Sequence, residues 1–291
     1  MRRANSRSLR VSVVWKTVES SNGDRDFAQL DALFEMAAAN GVRVLPALVG
    51  PAPDGLNDPP TNRRSRKAFA RFAGALAKRY GRLGTVAQDL PVKTWQLLNE
   101  QNGRVYWGAR PSPRAYGRLV KVAARKIRRA DRGAEIALGG MFGTPSGSGS
   151  IASWTYLQKL YRVQGIKRAF DTVAVHPYSP SLRGITYQIR KLRAVMAQSG
   201  DRRAKLRVTE LGWGSAKHGN LNEGRKGQAR MLRKAFRLLE SKRRAWKIRG
   251  VNWFSWRDDP SGACSFCPTA GLFTFDREAK PSWRAFKRIA R

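Results

Sequence analysis

The chain has 291 residues, of which 42% are hydrophobic and 10% are aromatic. This composition excludes an intrinsically disordered protein, because enough apolar side chains are present to bury a large core. The 57 Lys and Arg residues outnumber the 20 Asp and Glu residues and give a formal net charge of +37. Such an excess makes the surface field positive and leaves three partner classes open: nucleic acid, an anionic membrane or wall polymer, and an acidic polysaccharide.

The predicted elements alternate between strand-like apolar runs and amphipathic helical segments. The predicted strands are Leu9–Trp15, Val42–Val49, Val92–Asn99, Glu135–Met141, Thr172–Tyr178, Leu206–Leu211 and Val251–Trp256. The predicted helices are Phe27–Ala39, Arg63–Tyr80, Pro113–Ala130, Trp154–Val163, Ile185–Gln198, Gly227–Glu240 and Ser282–Ile289. This alternation indicates βαβ units around a parallel sheet, and strands that are apolar on both faces fit burial inside such a sheet.

These elements predict an α/β fold, a (β/α)8 TIM barrel that lacks its first strand or is truncated there. A chain of 291 residues is close to the length of one such barrel, roughly 250 residues. Seven strands are predicted where a barrel needs eight, because the segment from Met1 to Ser8 is too polar for an inner strand. No repeat or linker interrupts the chain, so we expect one domain over residues 1–291.

The two cysteines, Cys264 and Cys267, form one Cys-x-x-Cys pair. Such a pair fits half of a zinc site, a redox pair or a small disulfide loop. A closed zinc site would need both histidines of the chain, His176 and His218, so we favour a disulfide in a surface loop. A disulfide indicates an oxidising compartment. We therefore expect a secreted or cell-surface protein, although no signal segment and no apolar run of membrane-spanning length is present.

Two acidic residues follow apolar strands at the end where a barrel carries its functional groups. Asn99-Glu100 ends the third predicted strand, and Glu210 ends the sixth. In a closed barrel these two ends face each other across the mouth. One carboxyl group there can protonate a leaving oxygen while the other attacks an anomeric carbon, provided that the two lie about 5–5.5 Å apart for the retaining reaction.

Other strand ends carry candidate substrate-binding residues. Tyr178 is predicted to hold the carboxylate of Glu210, and His176 to bind a hydroxyl of the substrate; packing inside the structure is the alternative for His176. Trp256 ends the last predicted strand and offers a flat face for a sugar ring, with core packing as its alternative. More distant subsites have three aromatic candidates: Tyr106, Trp107 and Trp213.

The segments Asn99-Glu100 and Thr209-Glu210-Leu211-Gly212-Trp213 resemble the motifs on strands four and seven of glycoside hydrolase clan A. The resemblance is strongest to bacterial enzymes such as those of glycoside hydrolase family 39, and it extends from about Val11 to Trp283. Supporting segments in the same order are Val173–Tyr178, Val251–Asp258, Gly271–Phe273 and Lys280–Trp283.

The resemblance implies a retaining β-glycosidase that hydrolyses a β-linked oligo- or polysaccharide by double displacement. Glu100 would be the acid/base, Glu210 the nucleophile, and Asn99 a hydrogen-bond partner of the sugar 2-hydroxyl. We expect no metal, no cofactor and a monomer. The substrate would be a carbohydrate, and an acidic polysaccharide is attractive because a positive cleft would concentrate it.

Two alternatives stay open at this point. One is a non-catalytic barrel that binds a polyanion, either an acidic glycan, a wall polymer or nucleic acid, which would leave Glu100 and Glu210 without a role. No compact motif of basic and aromatic residues is present, so we expect no specific nucleic-acid partner. The other alternative is a truncated, inactive piece of an enzyme.

Overall fold

The structure is a computed structural model that describes residue 4 and residues 6–108, 110–144 and 149–290. These residues form seven β-strands that alternate with α-helices. The strands are β1 (Ser8–Val14), β2 (Arg43–Val49), β3 (Thr94–Asn99), β4 (Glu135–Phe142), β5 (Thr172–His176), β6 (Lys205–Leu211) and β7 (Ile248–Trp253). The helices are α1 (Trp15–Val18), α2 (Ala28–Ala39), α3 (Arg63–Tyr80), α4 (Arg104–Trp107), α5 (Pro113–Ala130), α6 (Ser153–Tyr161), α7 (Leu182–Gln198), α8 (Gly224–Ser241), α9 (Arg243–Trp246) and α10 (Pro281–Ile289).

All seven strands are parallel and stand in chain order from β1 to β7 in one sheet. The sheet curls, so that the Ser8 hydroxyl on β1 accepts hydrogen bonds from Arg207 on β6 and Asn252 on β7, both at 3.3 Å. In the described residues no backbone ladder joins β1 to β7, and a cavity of about 820 Å³ lies along this seam. The predicted (β/α) barrel with seven strands in place of eight is confirmed. Met1 to Arg3 and Asn5, part of the segment predicted to be too polar for a strand, lie outside the described residues.

The core forms because the strands are covered on both faces. All residues of β5 are buried, and so are all residues of β3 except Asn99 at its end, as expected when helices cover the outside of a parallel sheet. One large apolar cluster includes side chains from the strands and the surrounding helices, and a smaller one lies where α8 packs against α10. The single domain over residues 1–291 stays a prediction. Among the described helices, none has the length and apolarity needed to cross a bilayer.

Two helices have the bounds that the sequence predicts, because both begin at clear capping residues. The Asn62 side chain accepts a hydrogen bond from the Ser65 N–H at 2.8 Å and starts α3. The Ser112 hydroxyl accepts one from the Ala115 N–H at 3.2 Å, with Pro113 as the first residue of α5. Side-chain caps and an initial proline are the strongest local signals of a helix start.

The predicted ends of two strands are wrong. The fifth predicted strand stops at His176, because Pro177 has no N–H with which to continue a ladder. The seventh runs from Ile248 to Trp253 and not from Val251 to Trp256. Its first residues include the polar Arg249, which reaches Glu135 at 3.1 Å at the N-terminal end of β4. Trp256 therefore lies in the segment after the strand.

A hydrogen-bonded tyrosine joins α5 to the sheet and gives a test of this core. The Tyr116 hydroxyl donates to the Leu97 carbonyl at 2.8 Å and accepts from the Gly139 N–H at 2.7 Å, and the side chain is fully buried. Tyr116→Phe removes the hydroxyl to which both backbone groups are hydrogen-bonded, so we expect the free energy of unfolding to fall by about 1–3 kcal/mol. Denaturant titration measures the change.

The neighbouring Tyr156 is the matched control. It is buried as completely as Tyr116, but among the described residues its hydroxyl has no hydrogen-bond partner. Removing an unpaired buried hydroxyl is expected to be neutral or stabilising. Equal destabilisation by Tyr116→Phe and Tyr156→Phe would contradict the assigned hydrogen bonds.

Candidate active site

Glu100 and Glu210 meet at the C-terminal ends of the strands. Glu100 follows the last residue of β3, and Glu210 is the penultimate residue of β6. Their side chains are 14% and 12% exposed. A carboxylate oxygen of each lies within 4.8 Å of one on the other and of a ring nitrogen of His176. The curled sheet thus brings together two acids that are far apart in the sequence.

Arg10 on β1 binds Glu210 and also fixes the strand that carries Glu100. Its guanidinium donates to Glu210 Oε1 at 2.6 Å, to Asn99 Oδ1 at 2.7 Å and to Gln96 Oε1 at 2.9 Å. Arg10 was not predicted as a site residue, because only the apolar residues of its strand were used to predict that strand. The available signal was an arginine inside a run predicted to be a buried parallel strand, where a charge needs a partner.

Glu210 is held in its ionised form. Burial alone would raise the pKa of Glu210, but the charges of His176 and Arg10 and the hydrogen bonds from Tyr178 and Arg10 outweigh it and lower this pKa below its usual value. The Tyr178 hydroxyl donates to Glu210 Oε2 at 2.8 Å. Burial, followed by the nearby Glu210 charge, raises the pKa of Tyr178 well above its ordinary range, so the hydroxyl keeps its proton. The contact predicted between Tyr178 and Glu210 is present in the structure.

His176 contacts the carboxylates of both Glu100 and Glu210 through one ring nitrogen. Its Nδ1 lies 2.7 Å from Glu100 Oε1 and 3.4 Å from Glu210 Oε2, and its Nε2 lies 3.0 Å from the Thr209 hydroxyl. When Glu100 is ionised it can only accept, so Nδ1 then carries the proton. Both ring nitrogens are occupied and the side chain is fully buried. This arrangement favours a positioning role for His176 over the predicted contact with a sugar hydroxyl.

Gly140 on β4 makes room for this histidine. A Cβ atom at position 140 would lie 2.0 Å from His176 Nε2 and 2.6 Å from the Thr209 hydroxyl. Any larger residue would therefore displace the ring. Neither Gly140 nor Thr209 was predicted as a site residue. A glycine in a strand indicates that another group approaches the backbone closely, but the sequence does not show which group it is.

The backbone is unusual where β3 ends. Leu98 has a φ of +63° and Glu100 a φ of +43°, and non-glycine residues seldom adopt such values. The carbonyl of Leu98 accepts a hydrogen bond from Gln96 Nε2 at 3.0 Å, and the Glu100 N–H donates to the Gly140 carbonyl at 2.8 Å. These bonds hold a backbone geometry of the kind that is concentrated at functional sites.

The aromatic candidates divide into rim and core residues. Trp256 is 38% exposed, packs against Phe273 and Trp283 and lines the seam cavity together with Glu210. Tyr106 is 55% exposed, and burial of its hydroxyl, followed by the charges of Glu100 and Glu210, raises its pKa to about 12. The subsite predictions for two tryptophans are wrong, since both are core residues at 4% and 0% exposure: Trp107 and Trp213.

The loop between the two cysteines packs against an aromatic residue of the site. Cys264 and Cys267 form the predicted disulfide. Between them, Phe266 is 6% exposed and packs against Tyr178 and Phe254, with ring centroids 5.1 and 6.3 Å apart. The disulfide loop therefore packs, through Phe266, against Tyr178, the residue that binds Glu210. No pattern in the sequence indicated this contact.

Glu100, His176 and Glu210 are also residue types that bind metals, and one ligand atom from each lies within 4.8 Å of the others. The Arg10 guanidinium, 2.6 Å from Glu210 Oε1, already supplies a positive charge at this place and would repel a metal cation. His176 Nδ1 is in addition hydrogen-bonded to Glu100. We therefore keep the expectation of a metal-independent site.

The Arg10 contact predicts how Glu210 titrates. Arg10→Met removes a positive charge and a hydrogen bond of Glu210 while keeping an extended apolar stem, so we expect the pKa of Glu210 to rise. Carbon-13 NMR titration of labelled glutamate carboxyls measures it. Arg63→Met, an exposed change at the start of α3, is the control. An unchanged Glu210 titration in Arg10→Met would rule out the ion pair as a determinant of this charge.

Solved structures with a similar fold include glycoside hydrolases. No protein-family model and no curated protein sequence matches the chain. A family 39 glycoside hydrolase from the gut symbiont Bacteroides cellulosilyticus is 20% identical, with a TM-score of 0.74 over 99% of this chain and 59% of its own. The family 39 enzyme of Xanthomonas axonopodis is 17% identical, with a TM-score of 0.71 over 99% and 60%.

The structure of fungal β-1,4-galactanases is 17% identical, with a TM-score of 0.70 over 98% of this chain and 89% of that one. This chain thus spans about three fifths of the length of the two family 39 structures. At these identities the similarity concerns the fold. The chain has the (β/α)-barrel fold of clan A glycoside hydrolases.

Proposed function

We propose that the chain is a glycoside hydrolase that cleaves O-glycosidic bonds of a β-linked oligo- or polysaccharide with retention of configuration. The observation that carries the proposal is the approach of Glu100 and Glu210, whose carboxylate oxygens lie within 4.8 Å. Retaining enzymes hold their two carboxyl groups about 5–5.5 Å apart, whereas inverting enzymes leave about 6.5–9.5 Å for a water molecule. The fold shared with glycosidases adds support.

We assign the roles of nucleophile and acid/base from the different surroundings of Glu210 and Glu100. Glu210, with its lowered pKa and its contacts to Arg10 and Tyr178, is the nucleophile that attacks the anomeric carbon. Glu100 donates a proton to the oxygen of the leaving sugar as the glycosidic bond breaks. It then takes a proton from the water that attacks the anomeric carbon and releases Glu210.

Two further side chains fit contacts with the sugar. Arg10 holds the Asn99 oxygen at 2.7 Å, which leaves the amide nitrogen to donate to an acceptor in the mouth. We assign that nitrogen to the sugar 2-hydroxyl, an interaction that strengthens in the transition state. Trp256 lies beside the same cavity as Glu210 and offers its exposed face to a pyranose ring.

The remaining expectations are part of the same proposal. The partner is a carbohydrate and the chain acts as a monomer without a cofactor. The disulfide between Cys264 and Cys267 supports secretion or a cell-surface location, because such bonds persist in oxidising compartments.

Removing either acid should separate the two roles. On a panel of aryl β-glycosides with neutral and uronic-acid sugars, we expect Glu210→Ala to abolish turnover because no covalent intermediate can form. Glu100→Ala should slow turnover by about 10²–10⁴-fold through loss of acid/base catalysis. Added azide should restore part of either rate by replacing the missing carboxylate.

Glu35→Ala, an exposed change on α2, is the matched control and should keep the parent rate. Wild-type rates in Glu210→Ala would refute the assigned nucleophile. No hydrolysis of any glycoside by the parent chain, together with salt-sensitive binding of polyanions, would favour a non-catalytic barrel.

The stereochemistry of the product tests the mechanism independently of the variants. Two successive displacements at the anomeric carbon invert it twice, so the sugar released first should be the β-anomer. Proton NMR during early turnover of an aryl β-glycoside distinguishes the two anomers before mutarotation mixes them. An initial α-anomer would show a single displacement and contradict the proposed nucleophile.

A further inference from the structure

Many basic residues of the chain lie at the end of the barrel opposite the two acids. The starts of β4 to β7 and the preceding helix ends form this face, which we call the N-terminal face. Lys205 begins β6 and Glu210 stands five residues later on the same strand, so the two ends are roughly 17 Å apart at the rise of an extended chain. The two acids thus lie away from the N-terminal face, and the seam cavity that Glu210 lines extends to Arg243 and Arg249 on that face.

The first groove on this face runs between α5 and the segment 165–169. It has a volume of about 670 Å³, and six of its nine lining residues are basic while none is acidic. These six are Lys121, Arg125, Arg128, Arg129, Arg132 and Arg168. Only Arg128 has an acidic partner among the described residues, Asp171 at 2.8 Å.

The second groove lies at the starts of β6 and β7. It has a volume of about 770 Å³ and again has six basic residues among nine, with Glu240 as the one acid. The six are Arg203, Lys205, Arg243, Arg244, Lys247 and Arg249. Lys205 and Arg249 share Glu135, at 4.0 and 3.1 Å, whereas Arg203 and Arg244 have no acidic partner in the described part of the chain.

The side chains that line the two grooves favour an anionic ligand. Arginine binds carboxylates through two parallel hydrogen bonds, and two basic grooves towards the same end of the barrel suit a linear polymer with repeated charges. No aromatic side chain lines either groove. A surface without aromatic rings cannot stack on the bases of single-stranded nucleic acid or on the apolar faces of neutral sugars.

We propose that the N-terminal face is a second glycan-binding site, which binds an acidic polysaccharide through its carboxylate groups. The inference rests on the proposed function, since a glycosidase that holds a distant part of its polymer gains local substrate concentration at its active site. It also names the substrate class: an anionic polymer, for which a face rich in unpaired arginine is complementary.

Direct binding tests the site without depending on hydrolysis. Polygalacturonate is the probe, and its fully methyl-esterified form is the uncharged control with the same backbone. Arg125→Gln/Arg129→Gln/Arg132→Gln in the first groove should weaken polygalacturonate binding about tenfold and lower its salt dependence. Arg203→Gln/Arg244→Gln should act in the same direction.

Arg63→Gln/Arg64→Gln/Lys67→Gln on α3 is the matched control, because it removes three exposed charges from another part of the surface. It should leave binding close to that of the parent chain. Equal losses in the control and the groove variants would overturn the proposal, since net charge alone would then explain binding. Equal binding of the methyl ester, or no binding of polygalacturonate by the parent, would also overturn it.

Two further measurements complete the test. Tighter binding of duplex DNA than of polygalacturonate at the same ionic strength, with the same dependence on the groove arginines, would overturn the glycan assignment in favour of nucleic acid. Glu210→Ala should bind polygalacturonate, whose α-linkages make it a binding probe and not a substrate, like the parent while losing hydrolysis of aryl β-glycosides. The groove variants should hydrolyse small aryl β-glycosides at parental rates. Failure of the active site and failure of this second site are thereby distinguishable.

Discussion

The ion pair between Arg10 and Glu210 is the contact on which the candidate site depends. At 2.6 Å it joins the first strand of the sheet to the sixth, across the seam between β1 and β7. The same guanidinium holds Asn99 and Gln96, so one side chain sets the positions of both acid-bearing strands. Because the pair is mostly buried, removal of either partner would leave an uncompensated charge, which is costly in a protein interior.

The fold explains how such a cluster is tolerated. Buried polar groups are stable only when each finds a partner, and here the partners come from successive strands. Tyr178 follows β5, Thr209 belongs to β6, and Gly140 on β4 leaves space for the His176 ring. The two carboxylates therefore stand in different environments: Glu210 contacts an arginine and a tyrosine in addition to the histidine, whereas Glu100 is hydrogen-bonded to the histidine at 2.7 Å. Different environments are what a pair of catalytic acids needs.

Much of this arrangement could be predicted from periodicity and strand ends. The α3 and α5 bounds followed from capping residues, and the approach of Glu100 to Glu210 followed from barrel geometry. Arg10 could not be predicted as a site residue, because the pattern of one strand does not show which residue of another strand its charged side chain will contact. The start of β7 was missed for a related reason: polar residues such as Arg249 are tolerated at a strand start that faces the solvent.

Trapping the glycosyl-enzyme is the most direct measurement of the central claim that Glu210 attacks the sugar. The probe is a 2-deoxy-2-fluoro glycoside with a good leaving group, made on the sugar that the aryl β-glycoside panel selects. Fluorine destabilises the positively charged transition state and should therefore slow release of the covalent intermediate. Mass spectrometry of the digested protein should find one added sugar, on the peptide that contains Glu210. A sugar attached to any other residue, or inactivation without a covalent adduct, would contradict the account.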